Sequence, residues 1–254
     1  MIDLHVHILP GLDDGPKDED AFLAMARAAV DDGITDVIAT PHHMNGIYET
    51  PPDDVRVAVD WANDRLDREG IPLRLHPGHE LAVHDRLMET LRSGNFLALG
   101  GAGRYVLLEL RDPIPETFDR LLYEVRLMGF LPVIAHAERY PTFQREPNRL
   151  YRFVKNGALV QLTAGSILGI FGKEAQKWSL RFFEHRLVHF VASDAHKDTG
   201  ARGFLMTKAY QFLAERYGPA EAETIRDNAR RLLEGRPVFV EEPERIRVGW
   251  KFFR

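Results

Sequence analysis

Apolar and polar positions along this chain keep two rhythms that take turns. The opening residues, Met1-Ile2-Asp3-Leu4-His5-Val6-His7, alternate apolar with polar and predict a half-buried strand with His5 and His7 on one face. A loop dense in turn formers follows, Pro10-Gly11-Leu12-Asp13-Asp14-Gly15-Pro16. Asp18 then caps a helix in which Phe22, Met25, Ala26 and Ala29 recur at helical spacing, with Gly33 as its stop. The exchange repeats. A strand at 35–40 ends in Pro41-His42-His43, and a helix from Asp53 carries Val55, Val59, Ala62 and Leu66 on one face up to Gly70. A strand near 73–76 runs into Pro77-Gly78-His79-Glu80, and a short helix at 84–93 leads to a strand at 105–110 that contains Glu109. After a helix at 116–128, the strand at 131–135 ends in His136-Ala137-Glu138-Arg139. A helix at 147–156, a strand at 158–163 and a helix at 173–185 precede a strand at 187–192, which ends in Ser193-Asp194-Ala195-His196. Helices at 203–217 and 219–233 close the pattern.

Strand and helix thus alternate about seven times without a linker or a shift in composition, which predicts one α/β domain over residues 1–254. Right-handed crossovers between parallel strands would close such a sheet into a barrel. In barrels and open α/β sheets alike, functional groups gather at the C-terminal strand ends.

Composition narrows the chemistry. The chain has 254 residues, a net charge of -5 and no cysteine, which excludes disulfides, thiolate metal sites and cysteine nucleophiles. No basic block points to nucleic acid. No apolar run is long enough for membrane insertion, and the N-terminus enters a strand directly, so a cytoplasmic protein is expected.

His5, His7, His42, Glu80, His136, Asp194 and His196 all fall at or just past predicted strand ends, with Glu109 inside its strand and Asp14 in the first loop. Any one of them has an ordinary explanation as a solvated strand end or a helix cap. All of them together, on the side where such folds place their sites, point to metal. Imidazole and carboxylate without thiolate suit manganese, iron or zinc. The donors exceed what one tetrahedral ion uses, so two or three ions bridged by a carboxylate are the economical reading. Such a cluster generates hydroxide near neutral pH and clamps a phosphoryl group in displacement. Arg139 and Arg202 follow ligand-bearing strands, and a guanidinium fork matches phosphate geometry.

These motifs carry a resemblance. Asp3-Leu4-His5-Val6-His7, Asp13-Asp14-Gly15-Pro16-Lys17, Thr40-Pro41-His42, Gly78-His79-Glu80, the block from Val133 to Tyr140 and Val191-Ala192-Ser193-Asp194-Ala195-His196 are similar to those of the PHP superfamily of metal-dependent phosphoesterases. Within it the chain most resembles the bacterial capsule and exopolysaccharide tyrosine-protein phosphatases. The resemblance implies a distorted (β/α)7 TIM-like barrel with three metal ions. It implies one ion on His5, His7, Glu80 and Asp194, a second on Glu80, His136 and a strand carboxylate assigned to Glu109, and a third on Asp14, His42 and His196. It also implies phosphate-binding roles for Arg139 and Arg202. The implied activity is phosphotyrosine hydrolysis by a metal-bound hydroxide. The implied partner is the tyrosine-rich tail of a bacterial autokinase that controls polysaccharide export. The competing enzyme reading is a histidinol-phosphate-type small-molecule phosphatase on the same barrel.

Some stretches keep plainer expectations. His43 is either a substrate contact or a loop residue. The glycine-rich segment 163–172 reads as a loop on the rim of the site, where Ile170 and Phe171 could meet a substrate ring. Trp178, Phe182 and Phe183 lie at helical spacing and read as core or subunit contact, and Trp250, Phe252 and Phe253 as exposed or packed on a neighbour in an oligomer.

Overall fold

A computed structural model of the chain describes residues 1–101 and 103–247, so Trp250, Phe252 and Phe253 lie outside the described residues. In chain order the elements are β1 (Ile2–Val6), α1 (Glu19–Asp31), β2 (Asp36–Ala39), β3 (His42–His43), α2 (Pro52–Glu69), β4 (Arg74–Pro77), β5 (Glu80–Ala82), α3 (Leu87–Ser93) and β6 (Tyr105–Glu109). They continue with α4 (Phe118–Leu127), β7 (Leu131–Ile134), α5 (Pro141–Arg145), α6 (Pro147–Lys155), β8 (Leu159–Thr163), α7 (Ala164–Ile167), α8 (Lys173–Glu184), β9 (Phe190–Ala192), α9 (Met206–Tyr217) and α10 (Pro219–Leu233). The expected alternation is present.

All the strand pairs are parallel, in the orders β1-β2-β4 and β3-β5-β6-β7-β8-β9. Thr40 N–H donates to the Val6 carbonyl at 2.9 Å and Glu80 N–H to the Pro41 carbonyl at 3.2 Å, which carries pairing across the break between the two sets. At the far end Asp194 N–H donates to the His5 carbonyl at 3.0 Å and His7 N–H to the Ala195 carbonyl at 2.9 Å. The parallel sheet therefore curls until its last strand lies beside its first.

The sequence pattern misses the breaks. Pro41 and Gly78 interrupt what would otherwise be single strands, so β3 and β5 appear as two- and three-residue continuations. The segment at 141–145 is also unassigned in the sequence reading, yet Pro141 and Pro147 each open a short helix, where a missing N–H costs nothing. The expected loop at 163–172 needs correction: Ala164–Ile167 is one helical turn, and only the residues after it are irregular. All of its residues are buried, so packing overrides the cost of one glycine. Trp178 and Phe182 are core, and Phe183 stacks on Tyr217 with ring centroids 4.7 Å apart.

Two apolar clusters hold the fold. The larger lies between strands and helices and includes Phe22, Val55, Phe143, Phe153 and Phe182. The smaller gathers Leu4, Ile38, Tyr105, Leu107, Val133, Leu159 and Phe190, with Ala229 and Leu232 of α10 against it. Leu107 is in register with Val133, and Val133 with Leu159, so the three share a face of the sheet. Two residues further along those strands, on the same face, come Glu109, Ala135 and Gln161. An apolar layer thus directly underlies the one that carries Glu109 and Gln161.

Leu107→Ala should lower the unfolding free energy by about 2–5 kcal/mol, read from urea denaturation, because the layer has little room to collapse. Acid should also weaken the fold through His189. This imidazole is buried, accepts the Val160 N–H at Nδ1, and has its pKa lowered by burial to about 4. An unfolded chain takes up that proton near pH ~6.5, so the contribution is complete above that pH and is lost as pH falls toward 4, by up to about 3 kcal/mol. Urea midpoints at pH 7 and 4.5 should differ less in His189→Gln than in the parent.

Candidate metal centre

The side chains marked in the sequence converge at the C-terminal ends of the strands. His5 and His7 come from the end of β1, His42 from β3, Glu80 from β5 and Glu109 from the last residue of β6. His136, Asp194 and His196 follow β7 and β9, and Asp14 reaches in from the loop after β1. His136 and Asp194 sit at φ 33° and φ 54°, a left-handed conformation that costs a non-glycine residue about 1–3 kcal/mol. These two strained turns lie where β7 and β9 end, at the residues that face Glu80 and His5.

Glu80 is at the centre, with a side chain 1% exposed. Its carboxylate oxygens lie 2.9 Å from His42 Nδ1, 2.9 Å from His136 Nε2, and 3.4 Å from Nε2 of both His5 and His7. Asp194 Oδ1 lies 3.5 Å from His5 Nε2 and 3.6 Å from His7 Nε2. Asp14 Oδ1 lies 3.1 Å from His196 Nε2 and 3.6 Å from His42 Nε2. Glu109 approaches His42 Nδ1 at 3.6 Å.

Three groups have donor atoms within 4.8 Å of one another: His5, His7 and Glu80; His42, Glu80 and Glu109; and His7, Asp14, His42 and His196. The partition differs in detail from the implied one. His42 belongs to two groups, and among the described residues His136 meets Glu80 but joins no such group with Glu109.

Residues that the sequence reading quoted in motifs, or passed over, set the orientation. Asp13 Oδ2 accepts the His7 Nδ1 hydrogen at 2.5 Å and the His42 backbone N–H at 3.1 Å. Gln161 Oε1 accepts from His5 Nδ1 at 3.1 Å and from the His136 backbone N–H at 3.0 Å. With Nδ1 engaged by Gln161 and Asp13, Nε2 of His5 and Nε2 of His7 turn inward and lie 3.2 Å apart. Imidazoles oriented by an outer carboxylate or amide are typical of metal ligands. The donor set, imidazole and carboxylate in a buried cup, fits divalent ions.

The signal for Gln161 was available, as a polar residue inside the otherwise apolar run Leu159-Val160-Gln161-Leu162. Asp13 was half visible as the first member of an Asp-Asp pair. Gly15 allows that loop to approach, since an added Cβ there would lie 2.3 Å from the His7 carbonyl oxygen.

Imidazoles and carboxylates shift one another's ionisation throughout the site. Burial disfavours charge on His7, yet Asp13 and Glu80 overcome it and raise the imidazole well above its ordinary pKa. Burial likewise opposes ionisation of Glu80, and the imidazoles of His5, His136 and His42 reverse that and hold its carboxyl well below the usual range. Asp14 is held low, first by the hydrogen bond from His196. Glu109 is raised by burial and by the neighbouring Glu80. The pocket draws in positive charge.

Arg139 and Arg202 stand on its open side, 40% and 41% exposed, and donate to Asp194 at 2.7 Å and Asp14 at 3.0 Å. His43 faces elsewhere. It is buried, donates through Nε2 to the Asn95 carbonyl at 2.9 Å, accepts the Thr50 N–H at Nδ1, and stacks on His79 at 4.5 Å, so it is a core histidine.

Residues 1–234 match the family model described as capsular polysaccharide synthesis, CpsB/CapC. Tyrosine-protein phosphatase YwqE of Bacillus subtilis is 41% identical over 248 residues, which cover 97% of each chain. A putative tyrosine-protein phosphatase CapC of Staphylococcus aureus is 33% identical over 211 residues, covering 83% of this chain and 82% of that one. A solved structure from a study of YwqE and Streptococcus pneumoniae CpsB, described there as unique metal-dependent tyrosine phosphatases, superposes with a TM-score of 0.94 at 41% identity, over 98% of this chain and 100% of that one.

Asp13→Asn should weaken divalent-ion binding about 10–100-fold, read by competition with a chromogenic chelator, while the circular dichroism spectrum stays unchanged.

Proposed function

The chain belongs to the CpsB/CapC family of capsular polysaccharide synthesis proteins, and on that premise we propose that it is a metal-dependent protein-tyrosine phosphatase. The observation that carries the reading is the buried histidine–carboxylate cup with two half-exposed arginines on its open side, in a chain so similar to metal-dependent tyrosine phosphatases. The curled sheet with its outer helices is read as a distorted (β/α)7 barrel of the PHP type, a single domain throughout.

His5, His7, Glu80 and Asp194 would hold one ion, Glu80, His136 and Glu109 a second, and Asp14, His42 and His196 a third. Manganese is the first choice, with iron or zinc as alternatives. Two or three divalent ions there would supply water activated near neutral pH and positive charge against the phosphoryl oxygens.

The chain's own groups do the rest. Asp13 and Gln161 keep Nε2 of His7 and His5 turned inward. Arg139 and Arg202 are planar donors that can exchange a carboxylate partner for two oxygens of an arriving phosphate dianion, which positions it and neutralises its charge. Burial works against the charge on Arg139, and the neighbouring Asp194 more than offsets it, so its pKa is raised. A phosphotyrosine substrate suits this set, because phenolate, with a pKa near ~10, departs more readily than an alkoxide and needs less general-acid help. With no cysteine in the chain, the thiolate route of other tyrosine phosphatases is closed.

The substrate is read as the tyrosine-rich tail of a bacterial tyrosine autokinase in the cytoplasm, which accords with the capsule-synthesis family. Among the described residues no helix is long and apolar enough to cross a membrane.

Metal-stripped protein, given back manganese, iron, cobalt or zinc, should hydrolyse a phosphotyrosine peptide in preference to histidinol phosphate. His136→Ala should bring the rate to background, and Arg139→Ala should lower kcat/KM about 10²–10³-fold, the cost of losing one charge-stabilising donor. Preference for histidinol phosphate would move the reading to a small-molecule phosphatase.

A further inference from the structure

The segment that links α7 to α8 comes back over the site, and its Phe171 meets Arg139. The guanidinium carbon of Arg139 lies 5.4 Å from the centroid of the Phe171 ring. The ring is seated from below by Gly165, where an added Cβ would come within 2.8 Å of Phe171 Cε2 and 3.2 Å of Cδ2. The segment is tied down as well. Ile170 N–H donates to the Gly165 carbonyl at 2.8 Å, and Gln176 Nε2 donates to the Ile167 carbonyl at 3.1 Å with its amide against Gly169. A short, pinned segment therefore presents one aromatic face to one arginine.

Arg139 needs such a support. Among the described residues its ion-pair partner is Asp194, at 2.7 Å, and Asp194 is itself within reach of His5 and His7 in the donor cup. A carboxylate engaged by the cup holds an arginine less firmly, and the long side chain is 40% exposed, so many rotamers compete. An aromatic face restricts that freedom and attracts the cation without consuming any N–H donor, leaving the planar fork free for phosphate.

We propose that Phe171 is a positioning residue that holds the Arg139 guanidinium at the mouth of the site, with Gly165 as the seat that allows the ring to lie there. The proposal rests on the reading of Arg139 as a phosphate-binding group. It assigns the rim aromatic to the arginine rather than to the substrate ring, so its effect follows phosphate and does not depend on what the phosphate is attached to.

The test is a double-mutant cycle read by inorganic phosphate binding to the metal-reconstituted protein, measured by calorimetry, with turnover of a phosphotyrosine peptide and of glycerol phosphate alongside. Phe171→Ala should weaken phosphate about three- to tenfold, the range expected from loss of one cation–π contact. Phe171→Tyr should restore it to within about twofold, and Gly165→Ala should mimic the loss by displacing the ring. In an Arg139→Ala background, Phe171→Ala should add less than about twofold, because the two act as one unit. Additive losses would overturn the proposal. So would unchanged phosphate binding with a selective loss on the phosphotyrosine peptide, which would make Phe171 a substrate-ring contact. An Arg139→Ala protein that binds phosphate normally would also sink it, since nothing would remain to be positioned. Phosphate binding is measured without turnover, so failure of the tyrosine phosphatase reading would show separately, as absent peptide hydrolysis with the cycle intact.

Discussion

The structure depends on one buried carboxylate. Glu80 is 1% exposed, and a charge so deep in a protein is destabilising by several kcal/mol unless opposite charge and hydrogen bonds surround it. Here the surroundings come from three separate stretches of chain: His5 and His7 at the end of β1, His42 at β3, His136 past β7. None of these is near Glu80 in sequence. The curled parallel sheet brings them together, because only a sheet that returns its last strand to its first places all those strand ends around one point.

A buried cluster of this kind must also be kept from collapsing onto itself. Asp13 and Gln161 hold the outer nitrogens of His7 and His5 and so turn Nε2 of both rings inward. The loop that carries Asp13 and Asp14 can reach the strand only because Gly15 has no side chain to strike the His7 carbonyl. Beneath this polar layer lie Leu107, Val133 and Leu159, a close-packed floor that fixes the backbone from which the ligands project. Above it the two arginines and the Phe171 segment form the entrance. Apolar floor, oriented donors and cationic rim follow one another along the strand direction.

Much of this could be read directly from the chain. The alternating first strand and later short apolar runs ending in His, Asp or Glu located the strands and the side on which their ends gather, and 3.6-period runs located the helices, with Asp18 as an actual cap that accepts the Ala21 N–H. His5 and His7 were legible because a strand sends residues i and i+2 to one face, whereas Asp194 and His196, which read as a second such pair, lie past the end of β9 in a left-handed turn. Less was legible where a local rule yields to packing. The turn at Ala164–Ile167 forms despite Gly165, because burial outweighs propensity over so few residues. His43 looked like a companion of His42, but the next residue of a strand points to the other face, and there it meets His79 and Asn95 instead.

Sequence alone thus determined the element order, the choice of imidazole and carboxylate over thiolate, and the list of residues that gather at the strand ends, since each follows from residue type and short-range periodicity. Tertiary structure decided which donors share a group, so that His42 serves two and His136 stands against Glu80. It also decided that Asp13 and Gln161 orient the inner rings, and that Arg139 lies between Asp194 and Phe171. The reason is physical. Those relations are distances of a few ångström between residues far apart in the chain, fixed by how strands curl and how side chains pack, and no periodicity along a sequence encodes them.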